Sequence, residues 1–391
     1  MNHPDRQPLL LTPGPLTTNP ATRRAMDRDW GSRDTDFIAL TARVRRRLEE
    51  LTGGDDGAFV AVPLQGSGTF VVEATLGTMV PRDGKVLVLI NGAYGRRMAT
   101  MLEIMGRDHT TVSCAENEPV TGAMVEAALS GDGTITHVAA VHCETTSGIL
   151  NPIEEIATVV AKHGKRLLID AMSSFGAIAI DPARVPFSAI MASSNKCLEG
   201  VPGIGFAILR ASDLAEATGN AHSLSLDLHA QWKGFESNGQ WRFTPPTHVL
   251  AAFDAALARH ESEGGVDGRF ERYSRNCEAL VTGMRALGFQ TLLTDDLQAP
   301  IIVTFLAPSE PGFSFQRFYD LLHARGFAIY PGKLTEVDSF RVGCIGDLDA
   351  DDLRAAVAAI GEVIDEACAS EKSRRTDSVP QSSSELESIN Q

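Results

Sequence analysis

The stretch that decides the fold is NPIEEIATVVAKHGKRLLIDA, residues 151 to 171. Asn151 can cap a helix, Pro152 can take its first position and Gly164 can end it, so the residues between them predict one helix. An apolar run follows this helix and ends on Asp170, and another apolar run, HVAAVHCE, precedes it. The order strand, helix, strand is typical of a parallel α/β sheet, with Asp170 at the carboxyl end of a strand.

Further short apolar runs extend this pattern along the chain, namely KVLVLI (85–90), SAIMASS (188–194) and GIGFAILR (203–210). Continuous apolar strands of this kind favour a parallel sheet that is buried on both faces and binds ligands at its carboxyl edge. A second series of predicted strands and helices begins after residue 265, where apolar runs such as PIIVTFLAP and SFRVGCIG alternate with helical patterns. The sequence therefore predicts an α/β protein with a large domain and a smaller C-terminal α/β domain.

The composition narrows the classes of function. Among 391 residues, 50 acidic and 35 basic side chains give a net charge of -15, which argues against a protein whose main work is holding nucleic acid. The six cysteines show no CxxC and no zinc-type spacing, which favours reduced thiols and predicts no metal site. There is no apolar stretch of signal-peptide or membrane-spanning length. We therefore expect a cytoplasmic protein with neither nucleic acid nor a membrane as partner.

A lysine and a carboxylate follow two of the predicted strands. Taken alone, Lys196 is compatible with a side chain that extends to solvent, and Asp170 is compatible with a strand-end cap. A desolvated lysine, however, forms Schiff bases with carbonyl compounds, and a carboxylate keeps a pyridine nitrogen protonated. Because pyridoxal 5'-phosphate (PLP) chemistry needs both groups, the pair predicts a PLP enzyme with Lys196 and Asp170 as its catalytic residues.

Three further motifs suit a phosphorylated aromatic cofactor. The Gly-Ser-Gly-Thr turn in LQGSGTFVVEA (64–74) opens a helix, where free N–H groups and the helix dipole favour a phosphate, although an ordinary turn has the same sequence. The dinucleotide pattern GxGxxG is excluded because Val71 occupies its third glycine position. Tyr94 in LINGAYGRRM can stack on a pyridine ring, and Thr145 and Thr146 in HCETTSGILNP can reach ring substituents. The alternatives are a half-buried surface aromatic and a Ser/Thr turn.

Eight segments, in order and over residues 8 to 368, resemble one enzyme family: LLLTPGPLTT, PLQGSGTFVVEA, VLINGAYGRR, HCETTSGILNP, LIDAMSSFGA, NKCLEGVPGIGF, QWRFTPPTH and SFRVGCIG. They resemble the 2-aminoethylphosphonate:pyruvate aminotransferases, which belong to the class V group of the fold-type I PLP-dependent transferases. The resemblance implies a large domain with a mostly parallel seven-stranded sheet, a smaller C-terminal α/β domain, and a homodimer with shared active sites. The expected divisions are an N-terminal active-site segment (1–22), a PLP-binding domain (23–265), a small domain (266–369) and a disordered polar tail (370–391).

The resemblance also implies roles for individual residues. Lys196 holds PLP as a Schiff base and Asp170 pairs with the ring nitrogen. The implied cofactor-binding residues are Ser67, Gly68, Thr69, Tyr94, Thr145, Asp170, Ser194, Lys196 and Thr244, of which Thr244 reaches the phosphate of the neighbouring subunit. The implied substrate-binding residues are Gly14 in the TPGP loop over the substrate and Arg341, which resembles an arginine that grips a carboxylate. Arg242 is predicted to bind substrate because of its positive charge beside Thr244.

The implied reaction is a ping-pong transamination of 2-aminoethylphosphonate with pyruvate, giving phosphonoacetaldehyde and L-alanine in phosphonate catabolism. A phosphonate is dianionic near neutral pH, so we expect a second cation beside Arg341, supplied by Arg242 or Arg33.

Two departures leave alternatives open. Arg33 in WGSRD replaces the tryptophan expected in these enzymes, and related alanine or serine:glyoxylate aminotransferases carry an arginine near there. Asn195 replaces an expected glycine and can touch the phosphate. A cysteine desulfurase is disfavoured because no cysteine lies in an obvious mobile catalytic loop. A catalytically silent PLP-binding module would be expected to lose Lys196 or Arg341, and both are present.

Overall fold

The computed structural model describes residues 7–53, 57–310, 312–334 and 337–369. The tail predicted for 370–391 and the first six residues of the predicted N-terminal segment lie outside the described residues. In the described ranges the strands are β1 Leu9–Leu10, β2 Phe59–Gly66, β3 Lys85–Ile90, β4 Asp108–Ser113, β5 Ile135–Val141, β6 Cys143–Glu144, β7 Ile149–Leu150, β8 Arg166–Asp170, β9 Ala189–Ser193, β10 Gly203–Arg210, β11 Ile302–Leu306, β12 Phe327–Ala328, β13 Tyr330–Pro331 and β14 Ser339–Gly343. The helices are α1 Pro20–Arg24, α2 Thr35–Glu50, α3 Gly68–Met79, α4 Ala93–Ile104, α5 Gly122–Gly131, α6 Ile153–Lys162, α7 Ala211–Glu216, α8 Leu228–Asn238, α9 Thr247–Ser262, α10 Gly265–Ala286, α11 Phe315–Ala324 and α12 Ala350–Cys368.

The largest sheet in the described part of the chain has seven strands in the order β2-β10-β9-β8-β5-β3-β4. The strands from β9 to β4 run parallel, and β2 points the same way because β10 is antiparallel to both β2 and β9. The predicted mostly parallel α/β sheet is confirmed. The expectation of a parallel strand at 203–210 is wrong, because the chain between Ser193 and Gly203 is too short for a crossover of a dozen or more residues.

Burial on both faces explains the continuous apolar runs. In β8, Leu167 and Ile169 pack in one hydrophobic cluster, whereas Leu168 between them packs in a second cluster on the opposite face. Side chains of α2, α5, α6 and α9 complete the first cluster, and those of α3, α4 and α8 complete the second. Because helices cover both faces, the carboxyl edge of the sheet is where loops can build a site.

The predicted crossover helix forms as α6, but its start differs from the expectation. Gly164 follows the helix with φ +64°, and Pro152 is the residue before it. Asn151 makes no capping hydrogen bond; its side-chain amide donates to the Val141 carbonyl (2.9 Å) and to Asn91 Oδ1 (3.2 Å). Its buried amide therefore ties the loop after β3 to the end of β5.

The C-terminal part contains an antiparallel sheet in the order β11-β14-β13, packed with α10, α11 and α12 around Phe305, Phe318 and Phe340. Strand β1 pairs in parallel with β12, which attaches the N-terminal segment to this part of the chain. Helix α10 begins at Gly265, beside the predicted boundary, while the division into domains stays a prediction. Among the described residues no helix is both long and apolar enough to cross a membrane.

Candidate active site

The carboxyl ends of parallel strands gather most of the predicted site residues at one edge of the sheet. Asp170 is the last residue of β8 and lies opposite Met191 of β9, and Lys196 follows shortly after β9 ends. Ser67 follows β2 and Tyr94 lies in the first turn after β3. The topology therefore places the lysine, the carboxylate, the aromatic ring and the glycine turn around a common space.

That space is a cavity of about 190 Å³ at the carboxyl edge of the sheet. Its lining is Ser67, Gly68, Thr69, Val72, Tyr94, Arg97, Met98, Val141, Cys143, Asp170, Met172, Ser173, Ser193, Asn195 and Lys196. Six of the predicted site residues line it, and Asn195 also does so.

Lys196 is held at the mouth of this cavity by the TPGP loop. Its Nζ donates to the carbonyl of Pro13 at 2.8 Å, and Gly14 has φ +119° and leaves no room for a side chain, since a Cβ there would lie 2.6 Å from Lys196 Cδ. Burial lowers the pKa of the Lys196 ammonium. A lowered pKa raises the fraction of free amine, which is the form that attacks a carbonyl carbon.

Asp170 is 5% exposed and has lost most of its hydration. Burial raises the pKa of its carboxyl to about 6, although the backbone N–H of Met172 donates to Oδ1 at 2.9 Å and opposes this shift. A buried carboxylate with so few partners is stabilised by a nearby positive charge. A protonated ring nitrogen in the cavity would supply that charge.

The glycine turn forms the N-terminus of α3, as its sequence predicts. Ser67 stands at the N-cap position and makes no side-chain capping bond, so its hydroxyl is available to a ligand. Arg97 Nη1 donates to Thr69 Oγ1 at 3.2 Å and places a positive charge beside this helix end. Free N–H groups, the helix dipole and a guanidinium together make an anion site.

Ser193, the neighbour of the predicted Ser194, is a further candidate for cofactor binding. Ser194 is fully buried, and its hydroxyl donates to the carbonyls of Val201 (2.6 Å) and Ile204 (3.2 Å). Ser193 lines the cavity, and its buried Oγ has no hydrogen-bond partner among the described residues. The two side chains differ because successive residues at a strand end point to opposite sides, and the role of Ser194 stays a prediction.

Thr145 is fully buried and lies behind the cavity wall, outside its lining. Its carbonyl accepts a hydrogen bond from Arg341 Nη1 at 2.8 Å, and Arg341 Nε donates to the Pro331 carbonyl at 3.0 Å. The guanidinium is thus fixed by two backbone carbonyls, those of Thr145 and Pro331. This anchoring suits an arginine that presents its remaining N–H groups to an anion.

Three residues that the sequence analysis assigned to phosphate or substrate binding, Thr244, Arg33 and Arg242, lie away from the cavity of their own protomer. Thr244 and Arg33 are exposed, and Arg242 Nη1 donates to the Leu224 carbonyl at 3.1 Å. None of them lines the cavity. The expectation that Thr244 reaches the site of a neighbouring subunit therefore stays a prediction, and within one protomer neither Arg33 nor Arg242 is the second cation.

The residues present fit PLP. They supply an amine, a buried carboxylate, an aromatic ring and a helix N-terminus with a guanidinium, and the unpartnered Ser193 hydroxyl points to a missing polar partner. No group of three His, Cys, Asp or Glu residues in the described ranges is arranged to hold a metal ion.

The sequence analysis did not predict Arg97, Ser193 or Glu144 as residues of the site. Arg97 lies three residues after Tyr94 in α4, so helical spacing puts the two side chains on one face and could have found it. Glu144 is fully buried, and its carboxylate accepts from Thr146 N (3.0 Å), Thr146 Oγ1 (2.6 Å) and Tyr94 N (3.1 Å). It holds the start of α4 in place, a role that only the tertiary contacts reveal.

A half-buried lysine and a buried carboxylate at the edge of a seven-stranded α/β sheet are typical of the class of PLP-dependent transferases. Residues 67–335 match the family described as Aminotransferase class-V, and the chain belongs to this family. The chain is 57% identical over 366 residues to the 2-aminoethylphosphonate–pyruvate transaminase of Pseudomonas aeruginosa, covering 94% of this chain and 98% of that one. It is also 57% identical to 2-aminoethylphosphonate–pyruvate transaminase 2 of Burkholderia lata, covering 92% and 95%.

Solved structures of related enzymes share the fold. The pyridoxamine-pyruvate aminotransferase of Mesorhizobium loti aligns with a TM-score of 0.84 at 25% identity, over 94% of this chain and 95% of that one. The alanine–glyoxylate aminotransferase of Nostoc sp. aligns with a TM-score of 0.83 at 24% identity, over 93% and 96%. Both confirm the predicted fold-type I architecture.

Proposed function

We propose that the chain is a PLP-dependent transaminase that moves the amino group of 2-aminoethylphosphonate to pyruvate, giving phosphonoacetaldehyde and L-alanine. The observation that carries this proposal is the 57% identity to enzymes of that name over nearly their whole length. The same observation favours this reaction over the glyoxylate-dependent alternative, because the alanine–glyoxylate enzyme is only 24% identical.

Eight residues of the cavity would take part in this reaction. PLP would supply an aldehyde that condenses with amines and a pyridine ring that withdraws electrons from the carbon being deprotonated. Lys196, whose pKa is lowered, would hold the cofactor and then act as the group that accepts and returns the proton of the substrate carbon. Asp170 would keep the ring nitrogen protonated, and Tyr94 would pack on the ring. The phosphate would be held by Ser67, Gly68, Thr69, Ser193 and Arg97.

Arg341 is the group that we propose to bind the anion of each substrate. Arg341 is anchored on both sides and offers a planar guanidinium to the pyruvate carboxylate, and in the other half-reaction to the phosphonate. The TPGP loop closes over Lys196, which excludes water from the reacting carbon.

We also propose that the enzyme is a cytoplasmic homodimer. An exposed apolar patch, made of Phe70, Leu224 and Phe243, borders the start of α3 and supports pairing with a second copy. In such a dimer the exposed Thr244 would reach the phosphate of the neighbouring subunit. All six cysteines are unpaired, which supports a reducing compartment.

A donor screen tests the proposed reaction. Purified holoenzyme is given pyruvate with 2-aminoethylphosphonate, serine or taurine, and L-alanine is measured; we expect turnover with the phosphonate. Lys196→Ala should abolish turnover, whereas Lys162→Ala, at an exposed position, should not. Turnover with serine or alanine and glyoxylate in place of the phosphonate reaction would refute the proposed substrate pair.

A further inference from the structure

A dianionic substrate needs more positive charge than one arginine provides. The chain carries a net charge of -15, so its surface repels a phosphonate and the site itself must supply the attraction. Arg341 is one cation. A carboxylate carries one negative charge and is satisfied by a single guanidinium, whereas a phosphonate carries two, so a second cation would favour the phosphonate.

Lys333 lies against an aromatic ring that lines the cavity. Its Nζ is 4.1 Å from the centroid of the Tyr94 ring, which lines the cavity. Burial works to raise the pKa of the Tyr94 hydroxyl, yet the Thr145 hydroxyl and the charges of Lys196 and Lys333 bring that pKa below its usual value. The ammonium of Lys333 therefore acts on the same space as Lys196.

The backbone fixes Lys333 relative to Arg341. Tyr330 pairs with Arg341 across β13 and β14, and Arg341 Nε donates to the Pro331 carbonyl. The next residue, Gly332, donates its N–H to the Ser339 carbonyl at 2.9 Å and has no room for a Cβ against β14. Lys333 thus leaves the backbone beside the anchored guanidinium.

Within the described ranges, the ammonium of Lys333 makes no hydrogen bond or ion pair, and its contact there is with the face of the Tyr94 ring. Arg97, whose Cζ is 5.0 Å from the same ring centroid, is instead bonded to Thr69 at the phosphate end of the cavity. Of these two cations beside Tyr94, Lys333 is the one that has no polar partner among the described residues.

We propose that Lys333 is the second cation of the substrate-anion subsite and that, together with Arg341, it selects a dianionic phosphonate over a carboxylate. This inference rests on the proposed transamination of 2-aminoethylphosphonate for its substrate class. It makes Lys333 a specificity-determining residue, since pyruvate can bind through Arg341 alone.

Binding of unreactive probes tests this inference without relying on turnover. Ethylphosphonate keeps the dianion and carbon skeleton of the proposed donor, and propionate keeps the carboxylate of pyruvate. Their affinities for the holoenzyme are measured by calorimetry under mildly alkaline conditions, where the phosphonate is doubly ionised. Lys333→Met should weaken ethylphosphonate binding about 10- to 100-fold, as expected for loss of a charge-assisted contact, and propionate binding by about threefold or less.

Two variants complete the design. Lys333→Arg should restore most of the preference for ethylphosphonate. Lys233→Met is the matched control, because Lys233 also lies over an aromatic ring, 4.9 Å from that of Trp232, but is exposed, and Trp232, unlike Tyr94, does not line the cavity; it should change neither affinity. Equal weakening of both probes by Lys333→Met, or no weakening, would overturn the inference.

The two proposals fail in different ways. If the wild-type enzyme does not transaminate 2-aminoethylphosphonate, the proposed function is wrong. Lys333-dependent selectivity for ethylphosphonate would then still support a dianion subsite serving another substrate. If the wild-type enzyme does transaminate it and Lys333→Met retains the normal preference between the two probes, only the role of Lys333 is refuted.

Discussion

Asp170 combines a chemical role with a cost to stability. In the chain without cofactor, burial raises its pKa from 3.8 to about 6, so the folded state binds this proton more tightly than the unfolded state. Stability from that proton is fully present below the unfolded pKa and is lost as the pH rises through the folded pKa. At neutral pH the ionised carboxylate therefore costs about 3 kcal/mol, which a protonated cofactor ring would offset.

Replacing this carboxyl by an amide separates the two effects. Asp170→Asn should raise the free energy of unfolding of the cofactor-free protein by up to about 3 kcal/mol above neutral pH, because an amide does not ionise. The gain should shrink as the pH falls toward the unfolded pKa. The same variant should lose transamination. Urea unfolding across this pH range measures the difference, with Asp83→Asn, at an exposed position, as the control. A variant no more stable than wild type at high pH would contradict the burial argument.

At the scale of elements, one face of α10 connects the two halves of the site. Arg269 donates to the Cys197 carbonyl, and Arg272 and Tyr273 each bond Glu199 Oε1 at 2.7 Å. Arg272 also donates to the carbonyls of Gly346 and Leu348. Because these side chains lie at helical spacing, α10 holds both the loop that follows Lys196 and the segment that follows the Arg341 strand.

Glu199 is the centre of this contact and sits in an unusual conformation. Its φ is +55°, its side chain is buried, and its N–H donates to the Lys196 carbonyl at 2.8 Å. Non-glycine residues seldom adopt this conformation, so the surrounding ion pairs must stabilise it. The loop that orients Lys196 is thus stabilised by charged side chains of α10, a helix that is far from it in sequence.

Removing the Glu199 carboxylate should therefore destabilise the fold. Glu199→Ala leaves the fully buried Arg269 with Glu263 as its remaining acidic partner and should cost about 3 kcal/mol of unfolding free energy. Glu271→Ala, which removes an exposed pair with Arg275 on the same helix, should cost about 0.5 kcal/mol or less. Denaturant unfolding of the holoenzyme measures both. Equal losses in the two variants would show that the Glu199 cluster is not a stabilising centre.

At the scale of the whole molecule, the exposed apolar patch is the surface at which we expect two copies of the chain to pair. Phe70, Leu224 and Phe243 are 52%, 74% and 43% exposed, and Phe70 and Phe243 share one groove beside the start of α3. Apolar side chains this exposed are costly in water unless another surface covers them. A partner seated there would also bring its Thr244 toward the phosphate site.

A charge placed in this patch should separate the subunits. Phe243→Arg should sediment as a monomer, because a guanidinium cannot be buried unpaired, and PLP affinity should fall about tenfold with the loss of a cross-subunit contact. Leu287→Arg, at another exposed apolar position (42%) in the C-terminal part, should remain a dimer with normal PLP affinity. A Phe243→Arg dimer that binds PLP normally would place the interface elsewhere.

The sequence by itself determined the order of the main strands and helices and the chemistry at the ends of two strands. Periodicity and turn residues are local signals, so β3 and β10 begin and end at the predicted residues, and Asp170 ends its strand. In open α/β sheets ligands bind at the carboxyl ends of the strands, so these local features predicted that Lys196 and Asp170 belong to one site. The family resemblance added the substrate class, which no local feature contains.

Only the tertiary structure decided the sides to which Ser193 and Ser194 point and the convergence of Arg97 and Lys333 on Tyr94. Each depends on contacts between residues far apart in sequence or on the side to which a side chain points. A shift of one position along a strand turns a side chain to the opposite face, and the sequence pattern does not show which face a given residue takes. Charges such as Lys333 and Glu199 gain their roles from neighbours that only packing brings close.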